Sequence, residues 1–156
     1  MLYEIYCDLF GEKIDGKFIP RGRIKFRPGL NTILGDKKAE NSIGKSTFLL
    51  VVDFCFGGGD YLDSNITKND VVGFVGNHTI NFAFKFGGRI EYYSRSTINP
   101  DEVVPCDEDY NAVGESITIG DFFSARAQSM AMSSQPPAAY SPPPLRAIFR
   151  ASMASK

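Results

Sequence analysis

A chain of 156 residues, 43% hydrophobic with 13 Phe and 7 Tyr, is long enough to bury one core and too apolar to belong to the disordered class. Its net charge of −1 gives no overall field that would recruit nucleic acid or an anionic membrane. Three scattered cysteines (Cys7, Cys55 and Cys106), no C-x-x-C and a single histidine, His78, argue against a disulfide framework and a zinc site.

Taken in chain order, Leu2 to Phe10, rich in Tyr, Ile and Phe, predicts a strand. "GEKIDGKF" reads as turn-like. Gly22 to Gly29 reads as a short strand closed by Pro28 and Gly29, and Leu30 to Leu34 as another ending at Gly35. Arg21, Arg23, Lys25 and Arg27 alternate with apolar residues; this suits a solvated strand face, or one that meets DNA phosphates or a nucleotide. "KSTFLLVVDFCF", Lys45 to Phe56, is apolar nearly all round and predicts a buried helix with Cys55 as a small core residue; Gly57 to Gly59 stop it. After a loop-rich stretch that includes His78, "TINFAFKF" alternates strictly, with Ile80, Phe82, Phe84 and Phe86 on one face and Asn81, Ala83 and Lys85 on the other. Gly87-Gly88 predicts a two-residue hairpin turn and "RIEYYSRS" its partner strand. "PDEVVPCDEDY" reads as a solvated acidic loop without the ligand spacing of an EF-hand, and Ser116 to Phe122 as one more strand or the start of a helix. The fold class expected is mixed α/β.

The composition changes near Phe123. Residues 1–123 hold every Gly, Asn, Asp and Glu and carry net −5; residues 124–156 carry net +4 and five of the nine prolines. The expected division is therefore a domain over 1–123 and a Pro/Ser/Ala-rich tail over 124–156, either disordered or translated out of frame. No basic start precedes a long apolar run and no segment reaches about 18 uninterrupted apolar residues, so neither a signal peptide nor a membrane span is expected.

G-K-S-T at Gly44 to Thr47 is how a phosphate-binding loop ends. Unpaired amides and the dipole of a helix N-terminus attract anions, Gly44 lets the backbone come close, Lys45 places a cation on the terminal phosphates and the Ser46 hydroxyl fits Mg²⁺. The loop departs from the simple pattern: eight residues separate Gly35 from Gly44, and Ala39 stands where a glycine is usual. Asp53 is followed by Phe54 and lies on the helix leaving the loop, so it does not read as a Walker B aspartate.

"FRPGLNTILGDKKAENSIGKSTFLLVVDFCFGG" resembles the N-terminal lobe of ABC-type ATPases of the SMC and SbcC kind, a P-loop NTPase lobe, through Gly29, Leu30, Asn31, Asn41 and Gly44 to Thr47. Ser42 stands where that family usually has its second glycine. The resemblance implies ATP and Mg²⁺ as ligands, with Asn41, Ser42, Ile43, Gly44, Lys45, Ser46 and Thr47 holding nucleotide and Ser46 the metal. It further implies a bacterial cytoplasmic ATPase linked to DNA maintenance or defence, truncated before a second lobe and partnered by a second ATPase head. No LSGGQ-like signature follows, and no catalytic residue is assigned. The alternative is a remnant or interaction domain that keeps the fold without binding nucleotide. A GTPase would want N-K-x-D, whose nearest string is "TKND" at Thr67 to Asp70.

Overall fold

A computed structural model describes residues 1–34, 42–63 and 71–133, with the backbone alone for 42, 43 and 128–133. Gly35 to Asn41, Thr67 to Asp70 and the segment beyond Ser133 lie outside the described residues. The chain divides into two compact units, Met1–Ser124 and Ala125–Lys156.

The first unit is mixed α/β, built on an antiparallel sheet. Its strands are β1 (Leu2–Tyr6), β2 (Gly11–Ile14), β3 (Lys17–Pro20), β4 (Ile24–Lys25), β5 (Thr79–Phe86), β6 (Arg89–Ser96), β7 (Glu102–Cys106) and β8 (Ile117–Thr118). Six form one sheet in the order β4-β1-β5-β6-β7-β8, and β2-β3 form a separate ribbon. The described helices are α1 (Ser42–Cys55), α2 (Val71–Val75) and α3 (Ile119–Ser133). None is long and apolar enough to cross a membrane.

The β5-β6 hairpin forms as its alternation dictates. Gly87 and Gly88 both take positive φ, and Phe82 faces Tyr93 in register. Ile80, Phe82 and Phe84 are buried, with Ile5, Val51, Phe54, Tyr93, Val103 and Phe122, in one core. Phe122 sets its ring edge-on to Phe82 and Tyr93. Thr118 caps α3: its hydroxyl accepts from the Asp121 amide at 3.2 Å and donates to the Asp121 carboxylate at 2.7 Å. That helix runs ten residues beyond Phe123, into the segment whose composition reads as tail.

Three expectations need correction. "GEKIDGKF" is a hairpin rather than a bare turn: Asp15 and Gly16 both take positive φ, the Asp-Gly signature of a two-residue connection. Leu30 to Leu34 is not a strand, because no described strand lies beside it to take its backbone hydrogen bonds; Leu30 and Leu34 are 94% and 84% exposed. "PDEVVPCDEDY" is not all loop, since Glu102–Cys106 pairs with β6 and β8.

Helix α1 ends as its glycines direct. The Gly58 amide donates to the Asp53 carbonyl at 3.0 Å and the Gly57 amide to Phe54 at 3.2 Å, with Gly57 at φ +92°. This is the paired bonding of a Schellman cap. Arg95 of β6, 3% exposed, completes the end. Its guanidinium donates to the carbonyls of Phe54, Gly58 and Pro100 and lies 3.9 Å over the Phe54 ring. The three cysteines are free and buried, and burial pushes each thiol above its ordinary range.

Arg95→Ala strands several carbonyls and should lower the unfolding free energy by about 3 kcal/mol in urea titration, with Arg95→Lys recovering less than half of the loss. A methyl group at Gly57 would come within 2.8 Å of the Phe123 ring at a backbone angle that L-residues avoid, so Gly57→Ala should cost about 1–2 kcal/mol in the same assay.

Candidate functional site

Helix α1 places residues 44, 47, 48 and 51 along one side, since three- and four-residue steps return to the same face. That side forms one wall of an open cleft of about 970 Å³, within the size range of small-molecule sites. Gly44, Lys45 and Thr47 supply the polar part of the wall, and Phe48 and Val51 its floor. The remaining walls come from separate elements: the β1–β2 turn with Leu9, Phe10, Gly11 and Glu12, then Arg21 and Ile24, then the exposed run Thr32 to Leu34. The Phe10 amide donates to Cys7 at 3.0 Å and the Arg21 amide to Phe10 at 2.7 Å, so both ends of the β2-β3 hairpin are tied at the cleft mouth. Phe26 stacks on Phe48, which holds the β4 segment against α1.

The expected site residues divide as follows. Gly44, Lys45 and Thr47 line the cleft together. Ser46 is exposed and does not line it. Ser42 and Ile43 belong to the first turn of α1, and Asn41 lies outside the described residues. A Cβ at Gly44 would meet nothing within 4 Å, and Gly44 is helical. Neither packing nor backbone strain among the described residues therefore requires glycine there. Asn31 has a structural task. Its side chain accepts from the Arg27 amide at 2.9 Å and donates to the Arg27 carbonyl at 2.8 Å, closing the turn that leads to the cleft.

The basic stretch separates into distinct roles that alternation alone could not assign. Arg21 lines the cleft, and no described residue forms an ion pair or side-chain hydrogen bond with it. Arg23 instead crosses the sheet. It donates to the buried Glu4 carboxylate at 3.0 Å and to the Glu108 carbonyl at 2.7 Å, with its guanidinium 4.9 Å from the Tyr110 ring. The Tyr110 hydroxyl donates to the same Glu4 oxygen at 2.9 Å; burial and this carboxylate raise the phenol's pKa. Part of the acidic stretch thus closes over a basic residue 85 positions away, where the sequence suggested only a solvated loop. Asp107 accepts from the Asn111 side chain at 3.0 Å and from the backbone amides of Asn111 and Asp109, and these bonds hold its pKa below the usual carboxylate range. No group of His, Cys, Asp or Glu able to hold a metal occurs among the described residues.

His78 is more than a loop residue. Its Nδ1 lies 2.8 Å from the Gly76 carbonyl, which only accepts, so Nδ1 is the donor. Nε2 then accepts from the Tyr61 hydroxyl at 2.7 Å. This links the chain after α1 to the start of β5.

Comparison of the chain with protein-family models, with curated proteins and with solved structures finds no match in any of the three.

Arg23→Ala leaves the Glu4 carboxylate buried with one donor fewer. Because a third of the Arg23 side chain is exposed, the expected loss of stability is discounted to about 2 kcal/mol, whereas Arg21→Ala should change it by less than about 0.5 kcal/mol. Urea unfolding of the two variants side by side checks the division.

Proposed function

We propose that the cleft binds ATP, with the polyphosphate against the first turn of α1, and that the domain is the nucleotide-binding N-terminal lobe of an SMC-like ABC-type ATPase. One observation carries the reading: Lys45, in the first turn of α1, and Arg21, from a separate element, line the same cleft, and no described residue forms an ion pair with either side chain. A polyphosphate meets in such a place a helix N-terminus with its dipole and two cations. The apolar floor of Phe48 and Val51 excludes water beneath it and strengthens those interactions.

Mg²⁺ would arrive with the nucleotide. It keeps most of its waters and phosphate oxygens and asks little of the protein. The resemblance gives the magnesium-phosphate unit to Ser46, and Thr47, the next residue of α1, lines the cleft. When bound, the ion neutralises phosphate charge. The function proposed is binding. Hydrolysis further needs an aligned water, a base and a surface that closes the site, which the SMC-like reading gives to a second lobe and a second head. Coupling to DNA is part of the same proposal.

Calorimetric titration of Mg-ATP into the full chain should give saturable binding, and Lys45→Ala should weaken it by at least about tenfold, a change of about 1.4 kcal/mol. A folded wild-type chain that takes up no ATP would overturn the reading in favour of a domain that keeps the fold without the ligand.

A further inference from the structure

Among the described residues, the cleft carries one negative side chain beside two cations. Glu12 is the second residue of β2, paired with Ile19 across the ribbon. No described residue gives it an ion pair or side-chain hydrogen bond, although the hairpin also brings Arg21 to the cleft. Its place is fixed by the glycine before it. A Cβ at Gly11 would lie 2.4 Å from the Ile19 carbonyl oxygen and 2.5 Å from the Phe18 ring, so the ribbon closes only with glycine there and Glu12 follows at the mouth.

An ionised carboxylate only accepts hydrogen bonds and repels phosphate. Glu12 is therefore not matched to the part of a nucleotide that Lys45 and Arg21 attract. Its neighbours on the same wall are Leu9 and Phe10, both apolar. Among the described residues the cleft thus offers Lys45 and a helix N-terminus from α1, Arg21 from beyond β3, a carboxylate from β2 and an apolar surface from the β1–β2 turn. A ribonucleotide presents the complement of each: phosphates, a vicinal pair of hydroxyl donors and a flat base.

We propose that Glu12 accepts hydrogen bonds from the ribose 2′- and 3′-hydroxyls while Phe10 packs on the base, so that the site selects ribonucleotides over 2′-deoxyribonucleotides. The inference rests on the phosphate-binding reading above. Removing the 2′-hydroxyl leaves part of the carboxylate's bonding unmade, and a hydrogen bond to a charged group is the kind whose loss is felt in affinity.

The test titrates ATP, dATP and inorganic tripolyphosphate, each with Mg²⁺, into the full chain, into Glu12→Ala and into Lys45→Ala. Glu12 lies on an exposed strand, so its variant should keep the wild-type circular dichroism. The wild type should bind ATP about tenfold more tightly than dATP. In Glu12→Ala that ratio should fall to within about twofold while tripolyphosphate binds at least as tightly as before, because a repelling charge has gone. Equal wild-type affinities for ATP and dATP, or an undiminished ratio in Glu12→Ala, overturn the role of Glu12. If ATP and dATP bind equally but both depend on Lys45, the phosphate reading stands and only this inference falls. If a folded wild-type chain binds none of the three, both fall together.

Discussion

The contact on which the rest depends is the one between Arg95 and the end of helix α1. A helix finishes with carbonyls that no further turn can satisfy, and its dipole leaves partial negative charge there. Burying that end against a sheet would be unfavourable without donors. Arg95 brings the donors from the end of β6 and binds carbonyls on both sides of the Gly57 turn, while its flat face lies on Phe54. A charged group is thereby used where an apolar one would leave oxygen atoms stranded. Because α1 is pinned at its C-terminal end, its first turn is held at a set place beside β4 and the β1–β2 turn, and the cleft exists.

The same sheet buries a second face by different means. Across the ladder, Glu4, Ala83, Tyr92 and Cys106 stand in register on one side, and Ile5, Phe82, Tyr93 and Pro105 on the other. The second set meets α1 and α3 through apolar contacts. The first is covered by the turn after β7, where Tyr110, at φ +64°, turns its ring over Arg23 and stacks near Tyr6 and Tyr92. A buried carboxylate at Glu4 then requires Arg23 and the Tyr110 hydroxyl together. Chain segments more than 80 residues apart are so joined beside the strand that leads to the cleft.

The cleft inherits its mixed chemistry from this arrangement. Each wall belongs to an element held by its own bonds: α1 by Arg95, the β2-β3 ribbon by the Phe10–Arg21 pairing, and the run after Gly29 by the Asn31 clamp.

Sequence alone determined whatever depends on local period and local backbone angle. The alternation of "TINFAFKF", the Gly-Gly turn, helix α1 and its glycine stop all appear in the structure because each is set by neighbours a few residues away, although α1 is buried along one face only and leaves Leu49 exposed. The G-K-S-T ending points to Lys45, and the fold puts Lys45 on the wall of the cleft. Tertiary structure decided the rest, because it turns on groups far apart in the chain. Arg21 and Arg23, two residues apart in one basic stripe, part company when Glu4 and the turn at Tyr110 claim only Arg23. Leu30 to Leu34 has the composition of a strand, yet a strand is made by a neighbour, and no described residue supplies one. Glu12 carries no local signal at all; it lines the cleft only because the Asp15-Gly16 turn folds its ribbon back.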